Sequence, residues 1–230
     1  MPTLSIVIPA YNEERFIGTL LEQIQAVDLA ALGVGKEIIV VDDCSKDRTA
    51  EIAGTVAGVI LKRMPVNGGK GKAVRAGISL ATGEYLIIQD ADLEYDPNDY
   101  VPMLDALLSG RGTVVYGSRY MQGGRHENQS LVAYLGGRSL SIIALLFTRT
   151  WLTDTVTAYK LFHREELAAL PLETSGFELD HEITSRMVAR GARIVEVPIR
   201  YAPRTKAEGK KIGLRDWFIG FRTFWRYRRG

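Results

Sequence analysis

Cysteine and histidine are scarce in this chain of 230 residues. A single cysteine, Cys44, excludes an internal disulfide, and His126, His163 and His181 stand too far apart for any zinc-ligand spacing. A long apolar run is also missing. Leu140 to Phe147 is apolar, but Arg138 and Arg149 bracket it, and a bilayer crossing needs about 20 apolar residues; residues 131 to 152 are therefore expected as a buried or interfacial helix. The N-terminus MPTLSIVIPAY lacks a basic segment leading into an apolar run and cleavage site. It reads as a first strand, and the chain is expected in the cytoplasm. No repeat or low-complexity linker interrupts residues 1 to 200, which favours one catalytic domain over 1–205 with a C-terminal extension over 206–230.

What is present is an ordinary globular composition, 46% apolar and 24% charged. The net charge of +2 hides an asymmetry: residues 200 to 230 carry ten Lys and Arg against Glu208 and Asp216, a balance of +8 that leaves −6 for residues 1 to 199. Such a basic end meets phosphate, on lipid or nucleic acid, or is simply a solvated face. Leu4 to Ile8, Glu37 to Val41, Val59 to Leu61, Tyr85 to Ile88, Thr113 to Tyr116 and Ile194 to Ile199 are short apolar runs separated by segments of helical period. They predict an α/β domain with a mostly parallel, buried sheet flanked by helices. Ile17, Leu20, Leu21, Ile24 and Val27 form one helical stripe, and further helices are predicted from Pro97 to Leu108 and over 178 to 190.

In open α/β sheets, ligands bind beyond the carboxyl ends of the strands. Four polar segments fall there: Pro9-Ala10-Tyr11-Asn12-Glu13, Asp42-Asp43-Cys44-Ser45, Asn67 to Lys72, and Asp90-Ala91-Asp92-Leu93-Glu94. Asp90 and Asp92 project to one side of an extended segment, and Glu94 continues the alternation. Mg²⁺ and Mn²⁺ take carboxylate together with phosphate oxygens, so one carboxylate can hold the ion while a diphosphate completes its shell. An Asp-x-Asp alone also serves a loop or a helix cap; its place after a buried strand, beside Asp42 and Asp43, favours the cation. The glycine loop is not a P-loop, since Ala73 follows Lys72 where Ser or Thr is required, nor a Rossmann fingerprint, since Val74 stands where the third glycine belongs. Gly68, Gly69 and Gly71 let backbone approach a phosphate or base, with Lys70 or Lys72 supplying charge, or they form a surface turn.

The ordered motifs PAYNEE, VVDDCSKDRT, NGGKGKAVRAG, DADLEYDP, GSRY and YAPRTKAEGKKIG run from about Ser5 to about Asp216. Together they resemble the family 2 glycosyltransferases and, within them, the branch of dolichol-phosphate mannose synthase and its bacterial polyprenyl-phosphate relatives. The resemblance implies a glycosyltransferase A-type fold, a nucleoside-diphosphate sugar donor and a Mg²⁺ or Mn²⁺ ion. By position it assigns Pro9, Tyr11, Glu13 and Asp42 to the pocket for the donor base and ribose, Asp90 to a donor contact and Asp92 to the metal; Lys72 joins the donor-binding set from the glycine loop. Glu94 stands where the mannose synthases usually have Gln and keeps metal coordination available. Arg119, Arg138 and Arg204 match family arginines near the donor and acceptor phosphates. Lys211 matches the lysine of a Ser-Lys pair whose serine is here Lys210, and Ala158 sits where relatives often have Gly.

A phosphate monoester, with a second pKa of about 6, is already ionised at pH 7 and attacks without a base. The implied reaction is inverting transfer of a sugar from GDP-mannose, favoured, or UDP-glucose to a polyprenyl or dolichyl phosphate at the cytoplasmic membrane face. Arg138, Arg204 and Lys211 would orient the acceptor phosphate, and the cation on Asp92 would offset charge on the leaving diphosphate. A saccharide or other hydroxyl acceptor needs a base instead. Asp180 is the residue for it, unless it is only a solvated first-turn acid favoured by the helix dipole. A catalytically silent, membrane-associated binding subunit is a third reading, against which the intact acidic edge argues. From Leu214 onward, Trp217, Phe218, Phe221, Phe224 and Trp225 fall on one helical face, with Arg215, Arg222, Arg226 and Arg229 opposite. This amphipathic helix over 214–230 is expected to lie peripherally on an anionic membrane; packing on the core and a dimer contact are its other uses. No nucleic-acid partner is expected, because the remaining surface is acidic and no recognition motif accompanies the basic helix.

Overall fold

The computed structural model describes residues 1–127, 129–204 and 214–228. Strand β1 (Thr3–Ala10) carries buried Leu4, Ile6 and Ile8 on one face and Val7 on the other, and β2 (Gly35–Asp42) divides Ile38 and Val40 from Ile39 and Val41 in the same way. Strands apolar on both faces need cover on both, and helices supply it. Helices α1 (Ile17–Ala26) and α4 (Tyr100–Leu108) close one side; α3 (Lys70–Leu80) and α7 (Leu179–Ala189) close the other. The other elements are β3 (Val59–Arg63), β4 (Tyr85–Ile88), β5 (Val114–Ser118), β6 (Lys160–His163), β7 (Ile194–Pro198), α2 (Thr49–Thr55), α5 (Leu131–Thr148), α6 (Arg164–Ala168) and α8 (Leu214–Arg226).

The seven strands form one sheet in the order β3-β2-β1-β4-β6-β5-β7, parallel except for β6, which runs antiparallel to β4 and β5. Strand β6 was not foreseen, because it is only four residues long and opens on a lysine, and that lysine, Lys160, is fully buried. Ala10 pairs with Asp42, so β1 and β2 end flush, whereas Ile88 pairs with Val7, so β4 stops earlier and the acidic segment after it crosses the sheet edge. Gln89 pins that crossing: its Oε1 accepts the hydroxyls of Tyr100 and Tyr159 at 2.5 Å each, and its Nε2 donates to the Asp90 carbonyl at 2.9 Å.

Of the two readings of residues 131 to 152, a buried or an interfacial helix, burial is excluded, and the expectation that the run is too short for a bilayer is corrected. Helix α5 has 18 residues and is apolar enough by length and composition to cross a membrane, yet only Leu140, Ser141 and Ala144 are buried. It touches the body along a narrow stripe, against α8 and α7, and leaves Leu131, Val132, Leu135, Ile142 and Leu146 exposed. The aromatic residues of α8 also divide. Phe224 is fully buried with its ring 4.8 Å from that of His181, whereas Phe218, Phe221 and Trp225 are exposed. The helix buries the side bearing Gly220, Thr223 and Phe224 because Gly220 permits close approach: a Cβ there would stand 2.8 Å from His181 Nε2. Beside it, Trp217 Nε1 donates to Ser139 Oγ at 2.8 Å and Phe221 meets Phe147 edge-on at 5.8 Å, which joins α8 to α5. The boundary expected after residue 205 adjoins residues 205–213, which lie outside the described residues, as does Arg229.

Candidate functional site

A cavity of about 690 Å³ opens at the carboxyl edge of the sheet. Pro9, Tyr11 and Glu13 reach it from the turn after β1, Asp43 from the turn after β2, Gly69 and Lys70 from the start of α3, and Asp90, Asp92 and Glu94 from the segment after β4. Facing them are Val132, Ala133, Gly136 and Leu140 of α5, Phe177 and Asp180 at the start of α7, and Trp217 and Ile219 of α8. One space thus connects the acidic strand ends to an apolar helix pair. The first two turns each contain a left-handed residue, Asn12 (φ 55°) and Cys44 (φ 64°). They brace one another, Asn12 N donating to Ser45 Oγ at 3.0 Å and Asn12 Oδ1 accepting Lys46 N at 2.8 Å, which holds this backbone in its uncommon conformation.

Three carboxylates converge on one guanidinium. Asp92 Oδ2 lies 2.6 Å from Arg204 Nη2, Glu13 Oε2 3.2 Å from Nη1 and Glu94 Oε1 3.6 Å from Nε. Glu94 also accepts the Tyr201 hydroxyl at 2.8 Å and Arg204 N at 2.9 Å, so residues 201 to 204 are clipped to the acidic segment. Burial, and then the like charges of Asp90 and Glu94, push the Asp92 carboxyl up to about 7 against the opposing pull of Arg204. Among the described residues, no three His, Cys, Asp or Glu side chains are grouped to hold a metal by themselves. Asp92 offers a single carboxylate, which suits a hard cation that draws its remaining ligands from phosphate.

A second charged cluster lies deeper. Asp180, 5% exposed, has Oδ1 3.2 Å from Lys160 Nζ and Oδ2 3.3 Å from Lys70 Nζ, and Lys70 Nζ is 2.8 Å from Asp90 Oδ1. Burial alone would raise the Asp180 pKa; the Lys160 and Lys70 ammonium groups reverse this and hold it below the ordinary carboxylate value. Burial likewise works to lower the Lys70 pKa, but Asp180 and Asp90 outweigh it and raise the group above the ordinary lysine value. Asp180 is therefore not the solvated first-turn acid that its sequence position allowed. Arg119 is fixed by a bidentate pair, Nε to Asp154 Oδ2 at 2.6 Å and Nη2 to Asp154 Oδ1 at 2.8 Å, and its guanidinium lies over the rings of Tyr201 and Tyr120 at 5.0 and 5.4 Å.

Residues 5–168 of this chain match the family described as glycosyl transferase family 2. The chain belongs to that family. It is 32% identical to a dolichol-phosphate mannosyltransferase of Pyrococcus furiosus over 91% of this chain and 59% of that protein. It is 29% identical to a low-salt glycan biosynthesis hexosyltransferase of Haloferax volcanii over 88% of this chain and 48% of that protein. The chain thus spans about half the length of these two curated relatives. Among solved structures, the glucosyl-3-phosphoglycerate synthase of Mycobacterium tuberculosis in complex with Mn²⁺, UDP and glucosyl-3-phosphoglycerate superposes with a TM-score of 0.74 at 23% identity, over 99% of this chain and 80% of that one. The mannosyl-3-phosphoglycerate synthase of Rubrobacter xylanophilus does so with a TM-score of 0.72 at 21% identity, over 98% and 72%. The fold is glycosyltransferase A-type, as the motifs implied.

In this family 2 chain, Pro9, Tyr11, Glu13, Asp90, Asp92, Glu94, Arg119 and Arg204 line one cavity, while Asp42, Lys72 and Arg138 do not. Asp42 is fully buried and accepts Ser45 N at 3.3 Å; Asp43, its neighbour, lines the cavity and accepts Gly68 N and Gly69 N at 2.7 Å each. Successive residues at a strand end point to opposite sides, and only one of a pair can face the ligand space. Lys72 is exposed beside Gly68, while Lys70, two residues earlier on the helix, points into the cavity. Arg138 Nη1 donates to the Thr153 carbonyl at 2.7 Å, and its guanidinium lies over the rings of Tyr120 and Trp151 at 5.6 and 6.0 Å; these partners turn its charge aside. Lys211 lies outside the described residues. Gly69 and Gly71 are required for a reason other than ligand approach, since a Cβ at either would strike the Ser175 or Thr174 carbonyl. Sequence reasoning missed Tyr95, Phe177 and Tyr201 as lining residues, because their positions depend on long-range contacts such as the Tyr95–Tyr201 bridge. Asp43 had a signal, the acidic doublet itself.

Proposed function

We propose that this chain transfers a sugar, with inversion, from a nucleoside-diphosphate sugar, GDP-mannose first and UDP-glucose second, to a polyprenyl phosphate at the cytoplasmic face of a membrane. The observation that carries this reading is the single cavity that runs from the acidic strand ends to the apolar faces of α5 and α8. The dolichol-phosphate mannosyltransferase relative supports the same acceptor class, and the Mn²⁺ and UDP held by the glucosyl-3-phosphoglycerate synthase support the donor class. The donor base lies over Pro9, Tyr11 and Asp43, and Asp92 would hold Mg²⁺ or Mn²⁺ together with the diphosphate. The ion supplies positive charge opposite the leaving nucleoside diphosphate. Arg204 stands beside Asp92, and Arg119 is held rigid at the same cavity; these two guanidinium groups orient phosphate, a task in which the family resemblance also includes Lys211.

Asp180 supports an acceptor that arrives already ionised. A general base has to take up the hydroxyl proton, and the two buried lysines that engage this carboxylate hold its pKa below the ordinary value and weaken it as a base. The outward residues of α5 together with Phe218, Phe221 and Trp225 of α8 form a lipid-facing surface at the cavity's apolar end, which extends the membrane contact beyond residues 214–230. The test is to incubate purified protein and polyprenyl phosphate with a panel of nucleotide-sugars, with and without chelator, and to look for a glycolipid by mass spectrometry. A chelator-sensitive glycolipid is expected. Transfer only to saccharide or other hydroxyl acceptors would overturn the acceptor assignment.

A further inference from the structure

Lys160 is a lysine with no route to the cavity or to solvent. Its side chain is 0% exposed, and its Nζ is held by the Thr157 carbonyl at 2.6 Å, the Thr155 carbonyl at 3.3 Å and Asp180 Oδ1 at 3.2 Å. From there the charges alternate outward: Lys160, Asp180, Lys70, Asp90. Only the last opens appreciably, with 24% of its side chain exposed against 7% for Asp180 and 9% for Lys70. The row crosses three elements, since Lys160 opens β6, Asp180 lies in the first turn of α7, and Lys70 opens α3.

We infer that Lys160 and Asp180 are positioning residues for the donor sugar, acting through Lys70 on Asp90. A lysine ammonium sits on a flexible stem and holds no direction of its own. Asp180 fixes where the Lys70 ammonium stands, with the Phe177 ring 5.7 Å away, and Lys70 in turn occupies Asp90 Oδ1 and sets the rotation of that carboxylate. The strand order gives the ligand's direction. Pro9, Tyr11 and Asp43 mark the β1 and β2 end of the cavity, Asp92 meets Arg204, and Asp90 meets Lys70, whose ammonium also reaches Asp180 of α7. A donor with its base at the first end and its diphosphate at Asp92 therefore brings its sugar hydroxyls to Asp90. This inference rests on reading the cavity as a nucleotide-sugar site.

The experiment measures, by calorimetry with Mn²⁺ on the full chain, the Kd of GDP-mannose and GDP, and of UDP-glucose and UDP. The ratio of the sugar-nucleotide Kd to that of its sugar-free nucleotide isolates the sugar's contribution. Asp180→Asn is expected to raise this ratio about tenfold for the donor that wild type binds, and to leave the bare nucleotide within about twofold, as losing one oriented charged hydrogen bond implies. Removing one member of a buried ion pair also threatens folding, so the double variant Lys160→Met with Asp180→Leu, which removes both charges for apolar groups of similar size, provides a second route to the same ratio. Lys70→Met combined with Asp180→Asn should raise the ratio no further than Lys70→Met alone. An unchanged ratio in folded variants means that the row merely staples α7 to α3 and overturns the inference. So does an equal loss for sugar and bare nucleotides. If wild type binds none of the four ligands, the reading of the cavity falls, and this inference with it.

Discussion

The acidic strand ends and the α5–α8 flank wall the same cavity but are built in opposite ways. At the strand ends, Asp43, Asp90, Asp92 and Glu94 each meet a backbone N–H or a cation, and their backbone is set by the flush pairing of β1 with β2 and by the Gln89 network. On the flank, α5 buries only three residues and turns a row of large apolar side chains outward. Charge removed from water is costly unless its partners are already in place, so the polar half of the cavity has to be rigid before a ligand arrives. Apolar contact has no preferred direction and is satisfied by any apolar neighbour, so the flank holds by a narrow stripe of internal packing and leaves its other face uncovered.

Within α8 the contrast can be broken residue by residue. Phe224→Ala should cost about 3–5 kcal/mol, read from the denaturant midpoint, because a fully buried ring is lost. An unchanged midpoint would mean that α8 is not docked through that ring. At the strand ends, Asp92→Asn should lower transfer about 10²–10³-fold with little change in thermal midpoint. Unaltered metal-dependent donor affinity in this variant would remove Asp92 from its assigned role.

The α7–α8 contact carries a pH signature. Burial lowers the His181 pKa to about 4, and Asp180 offsets that only in part. In the unfolded chain a histidine titrates near 6.5, so on acidification the unfolded state takes up the proton first. Stability present above about pH 6.5 is therefore lost as pH falls toward 4, by about 2 kcal/mol at pH 5. Chemical denaturation of wild type and His181→Gln across this range should show wild type losing stability relative to the variant as pH falls; parallel curves would contradict it. The smallest change in stability, within about 0.5 kcal/mol, is expected for Phe218→Ser with Trp225→Ser, because both side chains are exposed. The same pair should weaken co-sedimentation with anionic vesicles, and full retention would argue against a lipid-facing α8.

What the sequence determined by itself is what depends on local pattern. The two-faced apolar runs announced a buried parallel sheet, the three- and four-residue steps from Ile17 to Val27 announced α1, and ordered motifs at strand ends marked the family and most of the cavity's polar wall. Adjacent alternatives were harder, since Asp42 and Asp43 differ only in which side of a strand end they face, and Lys70 and Lys72 only in which side of a helix. Tertiary structure decided these, and it turned Arg138 toward Thr153 and Trp151. It also decided the role of Asp180, whose two lysine partners lie 110 and 20 residues away in sequence. Local spacing records which face of an element a side chain occupies. Whether that face meets a ligand, a lysine or water is set by which distant elements pack against it, and β6, inserted antiparallel between β4 and β5 with Lys160 at its start, is the element whose placement the local pattern did not contain.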